Sequence, residues 1–517
     1  MLTLKIWKYV SLPWLLISVL FFTSFIFLSF FKGTEIEYLT NSYLLGLFRN
    51  TFLLSLLTAL ISCLIAVPLA ILVTFYNFPG SKFFSWALSL SIAFPAYVYA
   101  FIFVGIFEYS SPVASFLRDL NIILPSIKNL FGASIIMSMA LFPYIFLLLK
   151  VQLLSTGINL FKASKTLGNN NITSIFKVII PSMMPAIIAG MALIIFETIA
   201  DFGGVSTLRI ETFTVGIYNA WFGYQSYFSA ARLAGFLLLF VLVIIGITKY
   251  FGTSNLASKT SETFVKINLN NFYSYVASLV CFLLFMIVFI IPLIQLIIWN
   301  LQLNNLISFE NLNLLFNSVT LGVLASVLTV FFGITLALSY RDEKKLRFTI
   351  DLATSGYAIP GSVLAAGLLV SFGYFFNISI TSFGLLGLVF CLSLRFMTPA
   401  YNYLSASLAN ISDSSEKALS TYNVGSIKAL KMFYFPQMQS ATYLGLLIVF
   451  IECVKEQPAT LLLRPVGFDT LSTKIYNFTS EGQWVLASSP SLILVITSLI
   501  FVYLLSLIHI SEPTRPS

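Results

Sequence analysis

The chain contains an internal repeat in which two acidic residues follow a proline at the same spacing in both halves. The two copies are Pro181, Glu197 and Asp201 in the first half and Pro436, Glu452 and Glu456 in the second. In each copy the acids lie 16 and 20 residues after the proline, within strongly apolar sequence. Ionisable side chains are costly in such sequence and rarely persist there without a role. The repeat therefore predicts two tandem halves of the same structure that run in the same direction.

Other segments repeat in the same order along the chain. The further pairs are residues 50–70 with 317–337, 93–100 with 358–365, 211–213 with 469–471 and 217–219 with 475–477. We interpret the polar stretch between the halves, residues 251–271, as a cytoplasmic linker. The predicted modules are residues 1–250 and 272–507, and a pathway is expected between them. Residues 508–517 resemble a translated sequencing adapter, so this tail is interpreted as an artefact or a disordered end and is given no role.

The composition excludes a soluble globular protein. Of the 517 residues, 58% are hydrophobic and 9% are charged, whereas soluble domains carry roughly 25% charged residues. A helix that crosses a bilayer needs about 20 apolar residues, and six such runs occur in each half. The predicted spans are 9–31, 50–76, 83–108, 133–154, 183–203, 228–250, 272–299, 316–340, 348–375, 382–407, 437–456 and 488–507. We therefore predict an all-α polytopic membrane protein with about 12 transmembrane helices, arranged as two tandem six-helix modules.

The distribution of lysine and arginine predicts the orientation of the chain. With the N-terminus in the cytoplasm, 18 of the 28 Lys and Arg residues fall in cytoplasmic segments and nine on the opposite side. Cytoplasmic loops of membrane proteins are enriched in these residues, so we expect a multi-pass membrane protein with its N-terminus in the cytoplasm. The net charge of +9 reflects this bias and contact with anionic headgroups of the lipid bilayer. A nucleic-acid partner is not expected.

Two loops on the cytoplasmic side share a second spacing. Gly168 precedes Pro181 by 13 residues, and Asn423 precedes Pro436 by 13 residues. In both loops a short predicted helix ends at Gly or Asn, the residues that best tolerate a left-handed helix end. A second amphipathic turn then leads to the proline, which is expected to open the next span. An ordinary interhelical loop would explain one copy, but the duplicated spacing favours a rigid docking element for a partner.

Both loops resemble the EAA motif of ATP-binding-cassette importer permeases, in which Glu-Ala-Ala, three residues, Gly and nine further residues lead to Ile-x-Leu-Pro. The corresponding positions are Lys162, Ala163, Gly168 and Pro181 in the first loop and Glu416, Lys417, Ala418, Asn423 and Pro436 in the second. Lysine replaces the usual glutamate in both copies, and Asn423 replaces the glycine in the second. The resemblance implies a type I importer fold in which each loop is a coupling helix that docks on a nucleotide-binding subunit.

The chain is also similar to the fused, two-module ferric iron permeases of this superfamily. The residues that carry the likeness lie at 77–80, 94–98, 200–206, 212–221, 455–465 and 468–471. The resemblance implies that a periplasmic binding protein delivers ferric iron and that two separate cytoplasmic ATP-binding subunits hydrolyse ATP. The chain has no Walker A sequence, which ATP binding of that type needs, so no catalytic residue and no bound cofactor are expected in it.

The repeated acids and an arginine are the candidate residues of a translocation pathway or gate. They are Glu197, Asp201, Glu452, Glu456 and Arg395. On a straight helix the first acid of each pair lies about 24 Å beyond the proline, toward the outer part of the membrane, and the second lies one turn further. Hard oxygen ligands on two facing helices would attract a hard trivalent cation. Alternatively, the acids pair with Arg395, Lys455 or Arg464 and close the gate structurally.

Two prolines mark the third span of each half. Pro95 and Pro360 are expected to kink these helices near the pathway, and Tyr97, Tyr99 and Tyr357 lie close to them. The four cysteines lie in or beside apolar spans without paired spacing. Neither a disulfide framework nor a metal site is therefore predicted from them, and the sequence identifies no other set of metal ligands.

Three classes of function remain open from the residues themselves. An ATP-driven importer permease, for iron or for another small solute such as thiamine, is favoured by the two docking loops. A secondary transporter also uses repeats but has no use for such loops. A membrane-embedded enzyme is disfavoured because no catalytic cluster is found and the single histidine, His509, lies in the tail.

Overall fold

The computed structural model describes residues 5–31, 40–251, 266–303, 308–342, 346–378, 380–421 and 424–510. Residues 252–265 of the predicted linker, Asn423 and residues 511–517 of the predicted tail lie outside this part of the chain. The described chain is almost entirely helical, which confirms the predicted all-α class. Helices are expected because backbone groups in hydrocarbon must be hydrogen-bonded within their own segment.

The two halves contain similar, though not identical, successions of helices. In the first half they are α1 (Lys5–Phe31), α2 (Asn41–Phe75), α3 (Ser81–Ala87), α4 (Ala96–Phe107), α5 (Pro112–Asp119), α6 (Leu130–Thr166), α7 (Asn171–Ala200), α8 (Gly203–Thr207), α9 (Phe213–Tyr218) and α10 (Tyr227–Phe251). In the second half they are α11 (Asn271–Leu303), α12 (Phe309–Asp342), α13 (Arg347–Ala353), α14 (Gly361–Phe376), α15 (Leu385–Arg395), α16 (Met397–Ala409), α17 (Asp413–Thr421), α18 (Ser426–Lys455), α19 (Pro458–Leu463), α20 (Leu471–Ser480) and α21 (Trp484–Ile510).

The number of membrane spans agrees with the prediction. Within the described residues, ten helices are long and apolar enough to cross a membrane, and two bent helix pairs raise the number to 12. Several helices are longer than their apolar runs. For example, α6 extends to Thr166, whereas the apolar run ends at residue 154, because a helix once formed continues at little cost.

The third span of each half breaks at its proline, which is a larger change than the predicted kink. α4 begins directly after Pro95, and α14 begins directly after Pro360. In the second half the helices on the two sides of this break differ in direction by 118°. Proline has no N–H to donate, and its ring forces the preceding residue out of the helical region. The chain therefore changes direction at these two points.

The sequence repeat reappears as the same hydrogen bonds formed twice. Asn50 of α2 donates to the carbonyl of Glu211 at 3.0 Å, and Asn317 of α12 donates to the carbonyl of Asp469 at 2.8 Å. The hydroxyl of Thr51 accepts the backbone N–H of Phe213, and the hydroxyl of Ser318 accepts the backbone N–H of Leu471. These bonds fix α9 to α2 in the first half and α20 to α12 in the second.

The two hydrophobic cores are shared between the halves. α1 and α10 of the first half pack against α14 of the second, while α11 and α21 of the second half pack against α4 of the first. One core accordingly combines Phe25 and Leu237 with Leu368, and the other combines Phe101 with Val288. The outer helices of each half thus cover the inner helices of the other. The module boundaries themselves remain a prediction from the repeat.

The chain that follows the linker is anchored to the end of α2. β1 (Tyr76–Asn77) and β2 (Ile267–Asn268) pair in parallel. Beside them, the ammonium of Lys266 donates to the carbonyl of Val73 at 2.6 Å. The start of the second half is therefore held at the predicted cytoplasmic end of the first.

Two glycines allow aromatic rings to cross between the halves. A Cβ atom on Gly105 of α4 would lie 2.7 Å from the Trp299 ring of α11, and one on Gly367 of α14 would lie 2.9 Å from the Phe25 ring of α1. These contacts are shorter than van der Waals separations, so larger residues at either glycine must displace the ring or the helix.

We predict that Gly105→Leu and Gly367→Leu each destabilise the protein by about 1–3 kcal/mol, because overpacking separates the outer helix from the helix it covers. Gly373→Leu is the matched control, since it lies on α14 at a position where a Cβ meets no atom within 4 Å. Thermal unfolding in detergent, followed by size-exclusion chromatography, measures the effect. An equal loss in all three variants would contradict this account of the interface.

Candidate functional site

All five residues predicted for the pathway or gate line one cavity at the boundary between the halves. They are Glu197, Asp201, Arg395, Glu452 and Glu456. The cavity has a volume of about 110 Å³, and Tyr97, Tyr144, Phe202 and Lys455 also line it. It lies where α7 of the first half and α18 of the second both end. The structure therefore brings together side chains that the sequence could only place at matching positions of a repeat.

The second acid of each pair caps a short helix. Asp201 accepts the backbone N–H of Val205 at 3.0 Å at the start of α8. Glu456 accepts the backbone N–H groups of Ala459 and Thr460, each at 3.0 Å, at the start of α19. A carboxylate there satisfies N–H groups that lack partners within the helix and interacts favourably with the helix dipole. These two acids have the same structural role in both halves.

Arg395 forms a buried ion pair with Glu456. Its NH1 atom lies 2.9 Å from Oε1 of Glu456, and the two side chains are 10% and 1% exposed. Arg395 is the last residue of α15, where the chain bends by 54° into α16. An isolated buried charge is strongly unfavourable, so a partner of opposite charge is needed at this position.

The other two candidate cations have different partners. The ammonium of Lys455 donates to the backbone carbonyl of Ile92 at 2.8 Å. Arg464 pairs with Asp469, outside the cavity. Of Arg395, Lys455 and Arg464, Arg395 is thus the one that forms an ion pair with a repeated acid in the described part of the chain.

The first acid of each pair is held less tightly than the second. Tyr357 donates its hydroxyl group to Oε1 of Glu197 at 2.5 Å, so a side chain of the second half binds an acid of the first. Within the described residues, the carboxylate of Glu452 has neither a hydrogen bond nor an ion pair. Glu197 and Glu452 are therefore the carboxylates with remaining capacity to bind a cation in the cavity.

Gln457 is a cavity residue to which the sequence reasoning gave no role. Its side chain is almost fully buried, and its amide nitrogen donates to the carbonyl of Ser472 at 2.9 Å. Its oxygen, by contrast, has no hydrogen-bond partner among the described residues. The sequence could have indicated a role for this residue, because Gln457 directly follows Glu456 and is the polar counterpart of Phe202 in the repeat.

The cavity does not contain a compact metal site. Among the described residues, no group of three or more His, Cys, Asp or Glu side chains is close enough to hold a metal ion. The acids are thus spread around the cavity wall.

The first predicted docking loop is a tight turn between α6 and α7. Gly168 adopts the left-handed conformation, with φ of +87°, and the N–H of Asn169 bonds to the carbonyl of Ser164 at 3.2 Å. This is the helix ending that glycine favours. Lys162 and Ala163 are exposed on the preceding turn of α6, so this predicted surface is accessible to a partner.

The helices on the two sides of this turn differ from the prediction. The preceding helix is the long α6, and Pro181 lies exposed inside α7, ten residues after that helix begins. A π turn, Ile175–Ile179, ends two residues before the proline, and its wider hydrogen bonds accommodate the missing N–H. Pro436 follows a π turn within α18 in the same way. The α-helical segments after these π turns, Ile180–Ala200 and Phe435–Lys455, thus carry the prolines in their first turn, as expected, although the chain is already helical before them.

The second predicted docking loop is held by an ion pair. Arg341, near the end of α12, lies 2.9 Å from the carboxylate of Glu416 on α17, and Tyr434 donates to the same carboxylate at 3.2 Å. Glu416 thus binds residues of its own half. Ala418 lies on α17, and Asn423 lies outside the described residues.

Each predicted docking loop also exposes an isoleucine that the sequence reasoning overlooked. Ile172 is 70% exposed and Ile427 is 72% exposed. Each lies nine residues before the repeated proline of its half, in the first turn of α7 or α18. A search for apolar residues at matching positions of the two loops would have found them.

Comparison with known proteins relates the chain to transport permeases. No model of a known protein family matches it. It is 27% identical to the Fe(3+)-transport system permease protein FbpB 2 of Haemophilus influenzae, over 91% of each chain. It is 22% identical to the ferric transport system permease protein FbpB of Actinobacillus pleuropneumoniae, over 71% of this chain and 56% of that protein. The resemblance to importer permeases is confirmed.

A shorter likeness extends to permeases named for another solute. The chain is 24% identical to the sulfate transport system permease protein CysT of Escherichia coli, over 33% of this chain and 60% of that protein. The likeness to the ferric permeases covers both halves, whereas this one is confined to a third of the chain. The described helices and these relatives together establish a multi-pass membrane permease.

We predict that Arg395→Met destabilises the protein by about 3 kcal/mol, because it leaves the buried carboxylate of Glu456 without its counter-charge. Glu310→Gln is the control, since it removes a more exposed ion pair in which Lys474 lies 2.6 Å from Glu310 and such pairs contribute about 0–1 kcal/mol. Thermal unfolding in detergent compares the two variants. Similar stability of both would argue against a structural role for the buried pair.

Proposed function

We propose that this chain is the membrane permease subunit of an ATP-driven importer that carries ferric iron across the bacterial inner membrane. Its N-terminus lies in the cytoplasm, and the ends of α7 and α18 that carry the acids face the periplasm. A periplasmic binding protein delivers the iron to that side. The likeness to ferric permeases over most of the chain supports this assignment.

The charge of the central cavity is the observation that carries the choice of cargo. Four carboxylates line it, against the two cationic side chains of Arg395 and Lys455. A hard trivalent cation prefers oxygen ligands, and Glu197 and Glu452 keep the capacity to supply them. An anion such as sulfate would be repelled by the excess of carboxylates, so the sulfate permeases are the less suitable guide to the cargo.

The energy for transport comes from ATP hydrolysed by two partner subunits, not by this chain. Each docking loop offers one subunit an exposed isoleucine, Ile172 in the first turn of α7 or Ile427 in the first turn of α18. Burying these apolar side chains would favour the complex. In the first loop Lys162, Ala163 and Gly168 belong to the same surface, whereas Glu416 positions the second loop from within.

Movement of the ATP-binding subunits would reach the cavity along continuous helices. α7 runs from the first docking loop to Glu197 near its other end, and α18 runs from the second loop to Glu452. Helices transmit displacement over such lengths because their backbone bonds are internal. A change in the separation of the two loops would therefore change the separation of the two acids.

We predict that Glu197→Gln combined with Glu452→Gln abolishes iron uptake, because both carboxylates that can receive the cation are lost. Uptake of radiolabelled ferric iron into vesicles that contain the chain, the ATP-binding subunits and the binding protein measures the effect, with and without ATP. Co-purification of the ATP-binding subunits should be unchanged, since the acids lie far from the docking loops.

The control for this experiment is Glu481→Gln, which neutralises an exposed acid outside the cavity and should leave uptake intact. Normal uptake by the double variant would exclude the two glutamates from the pathway. Uptake of sulfate or thiamine, and not iron, by the unmodified complex would refute the choice of cargo.

We predict that Ile172→Asp combined with Ile427→Asp lowers recovery of the ATP-binding subunits about tenfold or more, because a charge replaces buried apolar surface at both contacts. Ile123→Asp is the matched control, since Ile123 is 83% exposed in the loop on the opposite side of the membrane. Quantitative co-purification measures the interaction. Undiminished recovery from the double variant would place the docking surface elsewhere.

A further inference from the structure

Three aromatic residues separate the acidic cavity from a second cavity on the predicted outer side. This aromatic cluster consists of Phe202, Tyr218 and Tyr476. The ring centroid of Phe202 lies 4.6 Å from that of Tyr218 and 5.0 Å from that of Tyr476. Phe202 lines the acidic cavity, whereas Tyr218 lines the second cavity, of about 410 Å³, together with Arg464 and Asn477. We call this second space the outer cavity.

The cluster lies where the two halves meet. Tyr218 and Tyr476 occupy the same position of the sequence repeat, and their ring centroids are 5.6 Å apart in an edge-to-face arrangement. Direct contact between equivalent residues indicates that the pseudo-twofold axis relating the halves passes close to this pair. Phe202 has no aromatic counterpart, because the second half has Gln457 at its position.

The short helix that carries each tyrosine is hydrogen-bonded to the acid-bearing helix end of its own half. Near Tyr218, the hydroxyl of Thr214 donates to the carbonyl of Asp201 at 2.7 Å. Near Tyr476, the hydroxyl of Ser472 donates to the carbonyl of Glu456, also at 2.7 Å. The repeated bonds to α2 and α12 hold the same segments from the other side. Any separation of the halves at this level therefore separates the two rings.

We propose that the aromatic cluster is the outer gate of the pathway. With the rings in contact, a hydrated cation in the outer cavity meets a constriction made of three aromatic rings, and constrictions with largely hydrophobic walls exclude ions because water wets them poorly. When the halves separate, Tyr218 and Tyr476 move apart with the ends of α7 and α18, and the outer and acidic cavities join. This role depends on the proposed function only in assigning the two cavities to one transport pathway.

The test measures access to the acidic cavity from outside. In a chain whose four cysteines are replaced by alanine, Ala200→Cys supplies a thiol on the wall of this cavity. Right-side-out membrane vesicles are treated with a membrane-impermeant, cationic methanethiosulfonate reagent. With the aromatic cluster intact, labelling should be slow. Tyr218→Ala combined with Tyr476→Ala should accelerate it about tenfold, the change expected when about 1.4 kcal/mol of contact energy is lost from the closed state.

Three controls make the result specific. Tyr218→Phe combined with Tyr476→Phe keeps both rings and should label as slowly as the parent. Tyr374→Ala removes an aromatic contact with Phe228, away from the cluster, and should also label slowly. Asn477→Cys, which lines the outer cavity, should label rapidly in every background. Should the double alanine variant fail to reach the membrane, Phe202→Leu opens the same contact at one position.

The proposal is overturned if Ala200→Cys labels rapidly with all rings present, if alanine or leucine substitution leaves the rate unchanged, or if Asn477→Cys is inaccessible from outside. The assay needs neither ATP, nor cargo, nor a partner subunit. Failure of the gate proposal is therefore distinguishable from an error in the proposed cargo. A different cargo would leave the labelling pattern unchanged and alter only the uptake measurements.

Discussion

A carboxylate inside a membrane protein needs hydrogen-bond donors or a positive charge, and this requirement organises the centre of the structure. Asp201 and Glu456 satisfy it by capping the short helices that follow α7 and α18. Glu456 also binds Arg395. With the second acids satisfied in this way, Glu197 and Glu452 are left with unused oxygen capacity at the cavity wall. In each half the acid that caps a helix lies one helical turn after the acid that remains available, so their different roles follow from their positions along the chain.

The exchange of outer helices explains how a cavity can persist between two halves that must also stay together. α1 and α10 cover the second half, and α11 and α21 cover the first. Because lipid is as apolar as the side chains, association in the membrane depends on close packing. Gly105 and Gly367 provide that packing by admitting aromatic rings from the opposite half. The halves therefore pack closely at the periphery, while the boundary between them at the centre is a polar cavity.

The two halves share a framework but differ in the side chains that meet at the centre. Ile92 and Tyr357 occupy the same repeat position, yet the carbonyl of Ile92 accepts from Lys455, whereas the hydroxyl of Tyr357 binds Glu197. The docking loops differ too, since an ion pair to Glu416 holds the second and a contact between two serine hydroxyls holds the first. A fused chain permits such differences because each half mutates independently, which two copies of one subunit cannot do.

Much of the fold was predictable because the membrane imposes it. Apolar length determined the number of spans, and the matched spacing of acids and prolines identified the repeat. The same spacing marked the two predicted docking loops, and the conformational preference of glycine predicted the left-handed turn at Gly168. Each of these features depends on local sequence or on its periodicity, so no knowledge of long-range contacts was required.

The tertiary structure decided the contacts that join residues distant in the chain. No pattern of residues could show that Arg395 pairs with Glu456, that Tyr357 binds Glu197, or that Phe202 lies against tyrosines of both halves. Nor could the sequence show that a π turn precedes Pro181 and another precedes Pro436, so that the chain is helical on both sides of each proline. Sequence alone thus determined which segments cross the membrane and where charges recur. Which of those charges pair with each other depends on their distances and burial, and these are set only when the helices pack together.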